Sequence, residues 1–465
     1  MEKMRSRVHA SILPGTAALL AAALATSAQG QADTAGSAQN APAPAESIVG
    51  PDTTPGTAPG PSTVAPAGLE VQPPPAAADD PFTAALLGGK FDLNVRARYE
   101  FADVGNLQTA NAYTVRTRLG YTTDFFEGFR ASAQLEANLA LDNDSYNAAG
   151  LNGQPGRAIV ADPEDGEANQ FWIEYDLAAA GDGGPDASVR LGRQRIVLDD
   201  ARFVGNVGWR QLEQTFDAVG FTAQPAENLE LYYGYVWGVN RIFGDSADRD
   251  FQSNSHLINA RISDTPLGAL TGFGYLLDFD DAAALSSQTY GLRLAGEAPL
   301  DDAFSLGYTA SAAYQQDYGD NPTDYEAPYF LLELKALHQD GGFVGLGYEE
   351  LGSDDGVASF QTPLATGHKF NGFADAFLLT PAAGLRDYYV VAGSKLPAPF
   401  KGVFSVFYHQ FTAADTSQDL GWELDLVASH KFTPNLTGLV KYAFFDGDGG
   451  LNDVERFWAQ LELSF

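Results

Sequence analysis

The chain of 465 residues contains no cysteine. It can therefore form neither disulfides nor thiolate metal sites, and it cannot use a cysteine nucleophile. After residue 30 it also lacks any run of about eighteen apolar residues, the length that a membrane-spanning helix needs. The helical membrane class is excluded, so any residence in a membrane must come from strands.

Basic residues are scarce as well. Lys and Arg number 27 against 60 Asp and Glu, which gives a formal net charge of −33. Binding to nucleic acid phosphates needs a basic surface, so we expect no nucleic acid partner. We interpret the excess of acid as solvated loops that face outward.

The amino terminus carries the pattern of a secretory signal. Three basic residues among the first seven precede a short apolar run at 17–25 and small residues up to Gly30. This pattern predicts a signal peptide over residues 1–30. Residues 31–88 are mostly Ala, Pro, Gly, Ser and Thr and predict a disordered periplasmic linker. A spacer without a specific partner is favoured over a segment that contacts the cell wall.

The remainder, residues 89–465, alternates between apolar and polar side chains with a period of two. In the last strand Phe457, Leu461 and Phe465 share one face, while Arg456 and Glu462 share the other. Such a strand needs a closed sheet and a solvent that accepts its apolar face, and a transmembrane barrel supplies both. The terminal Phe465 also resembles the signal read by the bacterial barrel assembly machinery.

The period-two pattern predicts eighteen strands, an even number, as expected for a single-chain barrel with both termini in the periplasm. Residues 371–380 are assigned to a loop, because a further strand would break this parity. The fold class is all-β: an antiparallel transmembrane barrel in the Gram-negative outer membrane, with short periplasmic turns and long extracellular loops. The predicted strands lie near 90–101, 112–124, 129–141, 169–178, 187–197, 215–223, 228–239, 255–263, 270–279, 287–297, 303–315, 327–338, 342–351, 385–396, 401–411, 419–432, 436–446 and 454–465.

Many of the few basic side chains have the parity of the water-filled face. An eighteen-stranded barrel is wide enough for an aqueous channel, so these residues would line it. Rings of Arg and Lys select anions, whereas pairing with inward acids would only brace the barrel, and both interpretations stay open. The residues with this parity are Arg96, Arg98, Arg116, Arg118, Arg190, Arg261, Arg293, Lys335, Lys431, Lys441 and Arg456.

A second basic cluster lies where the fifth strand enters a loop: Arg193, Arg195, Arg202 and Arg210. Arg193 and Arg195 carry the parity of the lipid face, where a charge is costly. Either a bulge turns the strand after Leu191, or the strand has already left the hydrocarbon. In both cases we expect these residues to reach the mouth of the pore.

This cluster carries a resemblance to a known family. The run LGRQRIVLDDARFVGNVGWRQLEQTFDA from Leu191 to Ala218 and the run HKFNGFADAFLLTP from His368 to Pro381 resemble the alginate export family of outer-membrane barrels. The resemblance implies a monomeric barrel of eighteen strands whose type member exports alginate through an arginine-lined pore gated by loops. The matching positions are Arg193, Arg195, Arg202, Arg210, Asp217, Asn371 and Asp375.

No enzymatic or metal-binding motif is present at a useful spacing. The histidines are scattered singly, and short acidic runs such as Asp142 to Asp144 do not complete a calcium loop. We therefore expect no catalytic activity, no metal and no cofactor. The sequence predicts a passive channel for anionic or saccharide-like solutes, in contact with outer-membrane lipid and lipopolysaccharide. The alternatives are a secretion channel for an acidic polysaccharide within a trans-envelope complex and, with less support, an outer-membrane enzyme or adhesin.

Overall fold

The computed structural model describes residues 80–181, 184–396 and 402–465, which form one closed antiparallel sheet of eighteen strands. The prediction of the fold class is confirmed. The barrel strands are β1 Lys90–Val104, β2 Ala110–Thr122, β3 Phe129–Ala140, β4 Asp165–Asp176, β5 Ala187–Gln194, β6 Thr215–Ala226, β7 Leu229–Asn240, β8 Phe251–Thr265, β9 Gly268–Leu277, β10 Ser287–Pro299, β11 Phe304–Asp317, β12 Glu326–His338, β13 Phe343–Leu351, β16 Leu385–Lys395, β17 Gly402–Thr412, β18 Asp419–Lys431, β19 Leu436–Gly447 and β20 Val454–Ser464.

The first and last barrel strands close the sheet. β20 pairs with β1 in an antiparallel register that runs from Asn94 opposite Ser464 to Val104 opposite Val454. The backbone N–H of Phe465 donates to the carbonyl of Leu93 at 2.9 Å. Closure removes the free strand edges that would otherwise pair with other chains. The part of Phe465 in assembly stays a prediction.

The alternation of the sequence places apolar side chains outside and charged side chains inside. Phe91 is 63% exposed on the outer surface, whereas Arg116 on the neighbouring strand is 1% exposed. A slip of one residue would exchange the two faces, and arginine facing lipid near the bilayer midplane costs about 2–4 kcal/mol. The hydrophobic pattern thus fixes both the strands and their register.

Short turns and longer loops alternate around the barrel. Turns such as 227–228 and 266–267 lie at one end, and long loops such as 141–164, 195–214 and 352–384 lie at the other. The segment 371–380 is in a loop, as predicted. The loop 352–384 also contains a small hairpin of β14 Ser353–Asp354 and β15 Ala358–Ser359 and the 3-10 turn Gly367–Lys369; two further 3-10 turns are Asp245–Ala247 and Ala283–Leu285.

Within the described residues, the helix α1 Pro81–Leu87 precedes the barrel. The side chain of Asp80 caps it by accepting from the backbone N–H of Thr83 at 3.0 Å. The predicted linker over residues 31–88 therefore ends in regular structure rather than in disorder. The predicted signal peptide and the rest of that linker lie outside the described residues. None of the described helices combines the length and the hydropathy that crossing a membrane would require.

Two long loops fold into the lumen instead of remaining outside. We call residues 195–214 inner loop 1 and residues 352–384 inner loop 2. The two loops are joined by a parallel bridge between Val204 and Leu364. An apolar core forms between the loops and the wall, so the lumen is partly filled and differs in this respect from the open aqueous channel that we expected. Its members include Ile196, Val204, Trp209, Phe360, Leu364, Phe373, Phe377, Phe407, Phe411, Phe445 and Trp458.

Candidate functional site

One side of the lumen carries a set of arginines that we call the basic wall: the buried Arg96 and Arg98 on β1, the buried Arg116 and Arg118 on β2, and the partly buried Arg190 on β5. Arg96 and Arg116 stand directly opposite each other in the register of β1 and β2. Their guanidinium groups share one carboxylate, Glu462, at 3.1 Å and 3.3 Å. Like charges opposite each other are unfavourable, so this pair concentrates positive charge at one height of the lumen.

Arg116 also has hydrogen-bonding capacity that the surrounding protein does not use. Its Nη2 contacts Asn94 and Glu462. Its Nε and Nη1 have no hydrogen-bond partner among the described residues, although both atoms are buried. Buried donors without partners are costly. A carboxylate or another anion could accept from them.

The other arginines of the basic wall are braced by neighbours. Arg98 donates from Nη2 to Gln460 at 2.7 Å, and its guanidinium lies 4.1 Å from the ring centroid of Trp209. Arg190 donates from Nε to Glu174 at 2.8 Å. Arg118 contacts Glu136 on β3 and lies 3.5 Å from Glu213 of inner loop 1. These contacts are the bracing that the sequence left as an alternative.

A different part of the lumen carries mostly carboxylates. This acidic wall consists of Glu333 on β12, Glu349 on β13, Asp387 on β16, and Glu423 and Asp425 on β18. Lys335 pairs with Glu333 at 2.9 Å, and Nδ1 of His409 lies 2.9 Å from Asp387. Buried carboxylates need cations or hydrogen-bond donors. The inner loops supply several of these.

The inner loops carry the two sequence motifs that suggested the family, and these motifs contact each other. Arg202 donates to Glu349 on the acidic wall at 2.6 Å and to Asn371 of inner loop 2 at 3.1 Å. Arg210 donates to Asp375 of inner loop 2 at 2.8 Å. Arg210 also lies 3.3 Å from Glu100 on β1. Residues far apart in the sequence thus lock the two loops together and to the barrel.

The turn of the second motif allows inner loop 2 to approach the acidic wall. Asn371 and Gly372 both have positive φ, 54° and 83°. A Cβ at Gly372 would lie 2.3 Å from the carboxylate of Glu423, which glycine avoids. The backbone N–H of Ala374 then donates to Glu423 at 2.7 Å.

A histidine that the sequence did not single out links inner loop 2 to β19. Nε2 of His368 lies 2.7 Å from Nζ of Lys441, and Nδ1 lies 2.7 Å from Asp375. Its ring stacks on Trp209 with centroids 4.4 Å apart. Burial lowers the pKa of His368 well below its usual range. Only the spacing of seven residues between His368 and Asp375 inside one motif could have pointed to this contact.

Three further predicted residues lie inside and are paired. Arg195 donates to Glu213 at 2.9 Å, Arg293 donates to Asp200 at 3.0 Å, and Arg456 donates to Glu100 at 3.0 Å. Arg293 and Lys369 hold the pKa of Asp200 at about 2, although burial opposes its ionisation.

The last inward residue, Arg261, stands opposite Glu230 in the register of β7 and β8. Pairing with carboxylates is therefore the rule among the predicted lumen residues.

Arg193 does not line the lumen, which corrects our expectation. In register it stands opposite Phe171, which is 70% exposed on the outer surface, so Arg193 shares that outward face. It pairs with Asp217 at 3.0 Å and with Asp245 in an extracellular loop at 3.5 Å. Two carboxylates at the extracellular end of β5 therefore meet this charge. Arg195, two residues later, turns inward to Glu213.

Within residues 80–181, 184–396 and 402–465, no cluster of His, Asp and Glu side chains could hold a metal ion.

The sequence model described as alginate export matches residues 89–319 of this chain. This part of the chain belongs to the alginate export family. It contains inner loop 1 and the basic wall, whereas inner loop 2 lies beyond the matched residues. No curated protein is significantly similar in sequence.

Solved structures of outer-membrane porins share the fold. OccAB2 of Acinetobacter baumannii has a TM-score of 0.63 at 13% identity, and the alignment covers 82% of this chain and 99% of OccAB2. OpdL of Pseudomonas aeruginosa has a TM-score of 0.61 at 13% identity, with 81% and 98% covered. OpdK of Pseudomonas aeruginosa, solved with vanillate, has a TM-score of 0.60 at 15% identity, with 82% and 99% covered. At this identity the likeness concerns the fold, and it agrees with a barrel of the Gram-negative outer membrane.

Proposed function

We propose that this barrel is an outer-membrane channel for small anionic solutes, carboxylates or acidic saccharides, and that the basic wall is where they bind. The observation that carries the proposal is the arginine pair at the centre of that wall. Arg96 and Arg116 share a single carboxylate, and two donors of Arg116 have no partner among the described residues. A guanidinium offers a planar fork that matches a carboxylate.

The family and the fold support this class of solute. The family model is named for the export of a polyuronate, and the OpdK structure contains vanillate, an aromatic carboxylate. The basic wall would lower the barrier for an anion because fixed positive charge attracts it within a confined lumen. Passage requires no covalent chemistry, and we assign no catalytic residue.

The inner loops set a condition on this function. They cross the lumen and are tied to β1 and β13 through Arg210 and Arg202. A small solute needs only a path beside them, whereas a polymer needs both loops to move aside. The proposal therefore takes small solutes as substrate, although the name of the family keeps secretion of an acidic polysaccharide as the second candidate.

Ion selectivity tests the proposal directly. The purified barrel, placed in a planar bilayer between two potassium chloride concentrations, should show a reversal potential that indicates anions cross more readily than cations. Arg116→Gln should move the permeability ratio towards unity. The matched control is Arg386→Gln. Arg386 lies away from the basic wall and pairs with Glu350 at 2.9 Å. Cation preference in the unaltered barrel, or equal effects of the two variants, would refute the proposal.

Solute size separates the two candidates. Liposomes that contain the barrel should admit monomeric uronate faster than neutral sugar of similar size, and should exclude the polymer. Release of entrapped polyuronate at a comparable rate would favour secretion instead. The proposal treats a single barrel as the working unit, and contacts with lipopolysaccharide and with the assembly machinery stay predictions.

A further inference from the structure

The helix α1, Pro81–Leu87, has an exposed surface that is largely apolar. Its sequence, PFTAALL, contains no charged residue. Three of its large apolar side chains are exposed: Phe82 by 54%, Leu86 by 46% and Leu87 by 51%. A helix of seven residues is too short to be stable alone, so this one depends on its surroundings.

The contacts of α1 place it on the outer side of the barrel. The hydroxyl of Tyr121 on β2 donates to the carbonyl of Leu86 at 2.5 Å. The ring of Tyr121 packs on that of Phe91, with centroids 4.5 Å apart. Phe91 belongs to the outward face of β1. The helix is therefore attached to the lipid-facing side of the barrel wall and not to the lumen.

The height of α1 is fixed by the turn between β2 and β3. The backbone N–H of Asp124 donates to the carbonyl of Ala85 at 3.0 Å. The ring of Phe82 meets that of Phe126 edge to face, with centroids 5.4 Å apart. This turn lies at the periplasmic end of the strands. The exposed side chains of Phe125 and Phe129 continue the apolar surface beside it.

We propose that α1 is an interfacial helix that inserts its apolar face among the acyl chains of the periplasmic leaflet. The exposed face of α1 adjoins the apolar band of β1 to β3, and α1 itself contains no charged residue. Short amphipathic helices with large apolar residues commonly lie in this plane of a membrane. A tyrosine that bonds the helix at the membrane boundary fits the usual place of aromatic girdles. Asp80, the cap of the helix, then marks the membrane surface.

The absence of cysteine allows a clean test on the full chain. Leu86→Cys is labelled with a nitroxide in lipid bilayers, and its collisions with oxygen and with a water-soluble nickel complex are measured. Phe91→Cys on β1 is the lipid-facing reference. Asp340→Cys is the water-facing reference, since the Asp340 side chain is 85% exposed on a periplasmic turn.

We expect Leu86→Cys to follow the lipid-facing reference, with nickel collisions reduced about tenfold relative to Asp340→Cys, as for a side chain removed from water. Nickel accessibility equal to that of Asp340→Cys would overturn the proposal. Low accessibility to both oxygen and nickel would also overturn it, since it would mean that protein covers the face. A second copy of the chain would be the cover if this protection depended on the ratio of protein to lipid. Leu87→Cys repeats the measurement should Leu86→Cys fail to fold.

Discussion

The basic wall and the acidic wall of the lumen differ in where the counter-charges of their side chains come from. On the basic wall the neighbouring strands supply most of the counter-charges, such as Glu136 for Arg118 and Glu174 for Arg190. On the acidic wall the counter-charge for Glu349 comes from inner loop 1 through Arg202. Strands of the barrel therefore neutralise much of the charge of the basic wall, whereas the neutralisation of Glu349 on the acidic wall depends on an inner loop. Inner loop 1 is held at both walls, because Arg96 donates to the carbonyl of Gly208 at 2.9 Å and Arg202 donates to Glu349 at 2.6 Å.

The largest effect on the free energy of unfolding is expected when the acidic wall loses Arg202, the arginine that inner loop 1 supplies to Glu349. Arg202→Met leaves the buried carboxylate of Glu349 without this partner, and breaking a buried ion pair costs about 3–5 kcal/mol. Chemical unfolding of the barrel in lipid would measure the free energy. The conductance in a planar bilayer should also rise or become unsteady, because inner loop 1 loses its attachment to β13.

The double variant Arg202→Met with Glu349→Leu provides the control for this loss. It removes both charges, so most of the lost stability should return while the conductance stays altered. An unchanged free energy of unfolding in the single variant would show that the loops are held by other contacts.

A pH dependence should follow from His368. Its folded pKa lies below its unfolded value of about 6.5, because burial favours the neutral ring. Below that pH the unfolded chain binds a proton that the folded protein does not, so stability falls by up to about 1.4 kcal/mol per pH unit, and above it the contribution is constant. The groups that face His368 are Asp375, Lys441 and Arg210.

Unfolding free energies between pH 8 and pH 5 would measure this slope. His368→Gln should make the profile flatter below pH 6.5, since the ionisable ring is gone. Equal slopes in the two proteins would contradict the assignment.

A smaller effect is expected within the basic wall itself. Arg116→Met removes one of two arginines that share Glu462 and relieves a like-charge pair, so the change should be about 1 kcal/mol or less. Arg118→Met should cost more, because it leaves Glu136 and Glu213 with one cation fewer. Chemical unfolding of the two variants compares these costs. A small cost is expected for an arginine available to a solute, and a larger cost for one that braces the barrel. If Arg116→Met lowered the free energy of unfolding more than Arg118→Met, Arg116 would be the bracing residue and Arg118 the candidate for solute binding.

The smallest effect is expected at the rim, outside both walls. Arg193→Met breaks ion pairs with Asp217 and Asp245 that are partly exposed to water. Exposed pairs contribute about 0–1 kcal/mol and are screened by salt. Neither the conductance nor its ion preference should change. A change in ion preference would indicate that Arg193 lines the pore after all.

The sequence predicted the barrel almost strand by strand, because each residue of a membrane strand faces either lipid or the interior. That alternation is local and strong. The prediction failed at Arg193, where parity alone could not say whether the strand was still within the membrane. It also failed for residues 81–87, where composition indicated disorder but an aspartate cap and contacts with Tyr121 and Asp124 support a helix.

The sequence by itself determined the closed sheet, its register and the inward position of most basic side chains, since the two solvents impose these residue by residue. Only the tertiary structure decided which charges meet. Arg202 and Asn371, or His368 and Lys441, are far apart in the chain and come together because two loops fold into the lumen. Pairing across a lumen depends on geometry that no local pattern encodes, so the sequence could place the arginines inside but could not say which of them remain available to a solute.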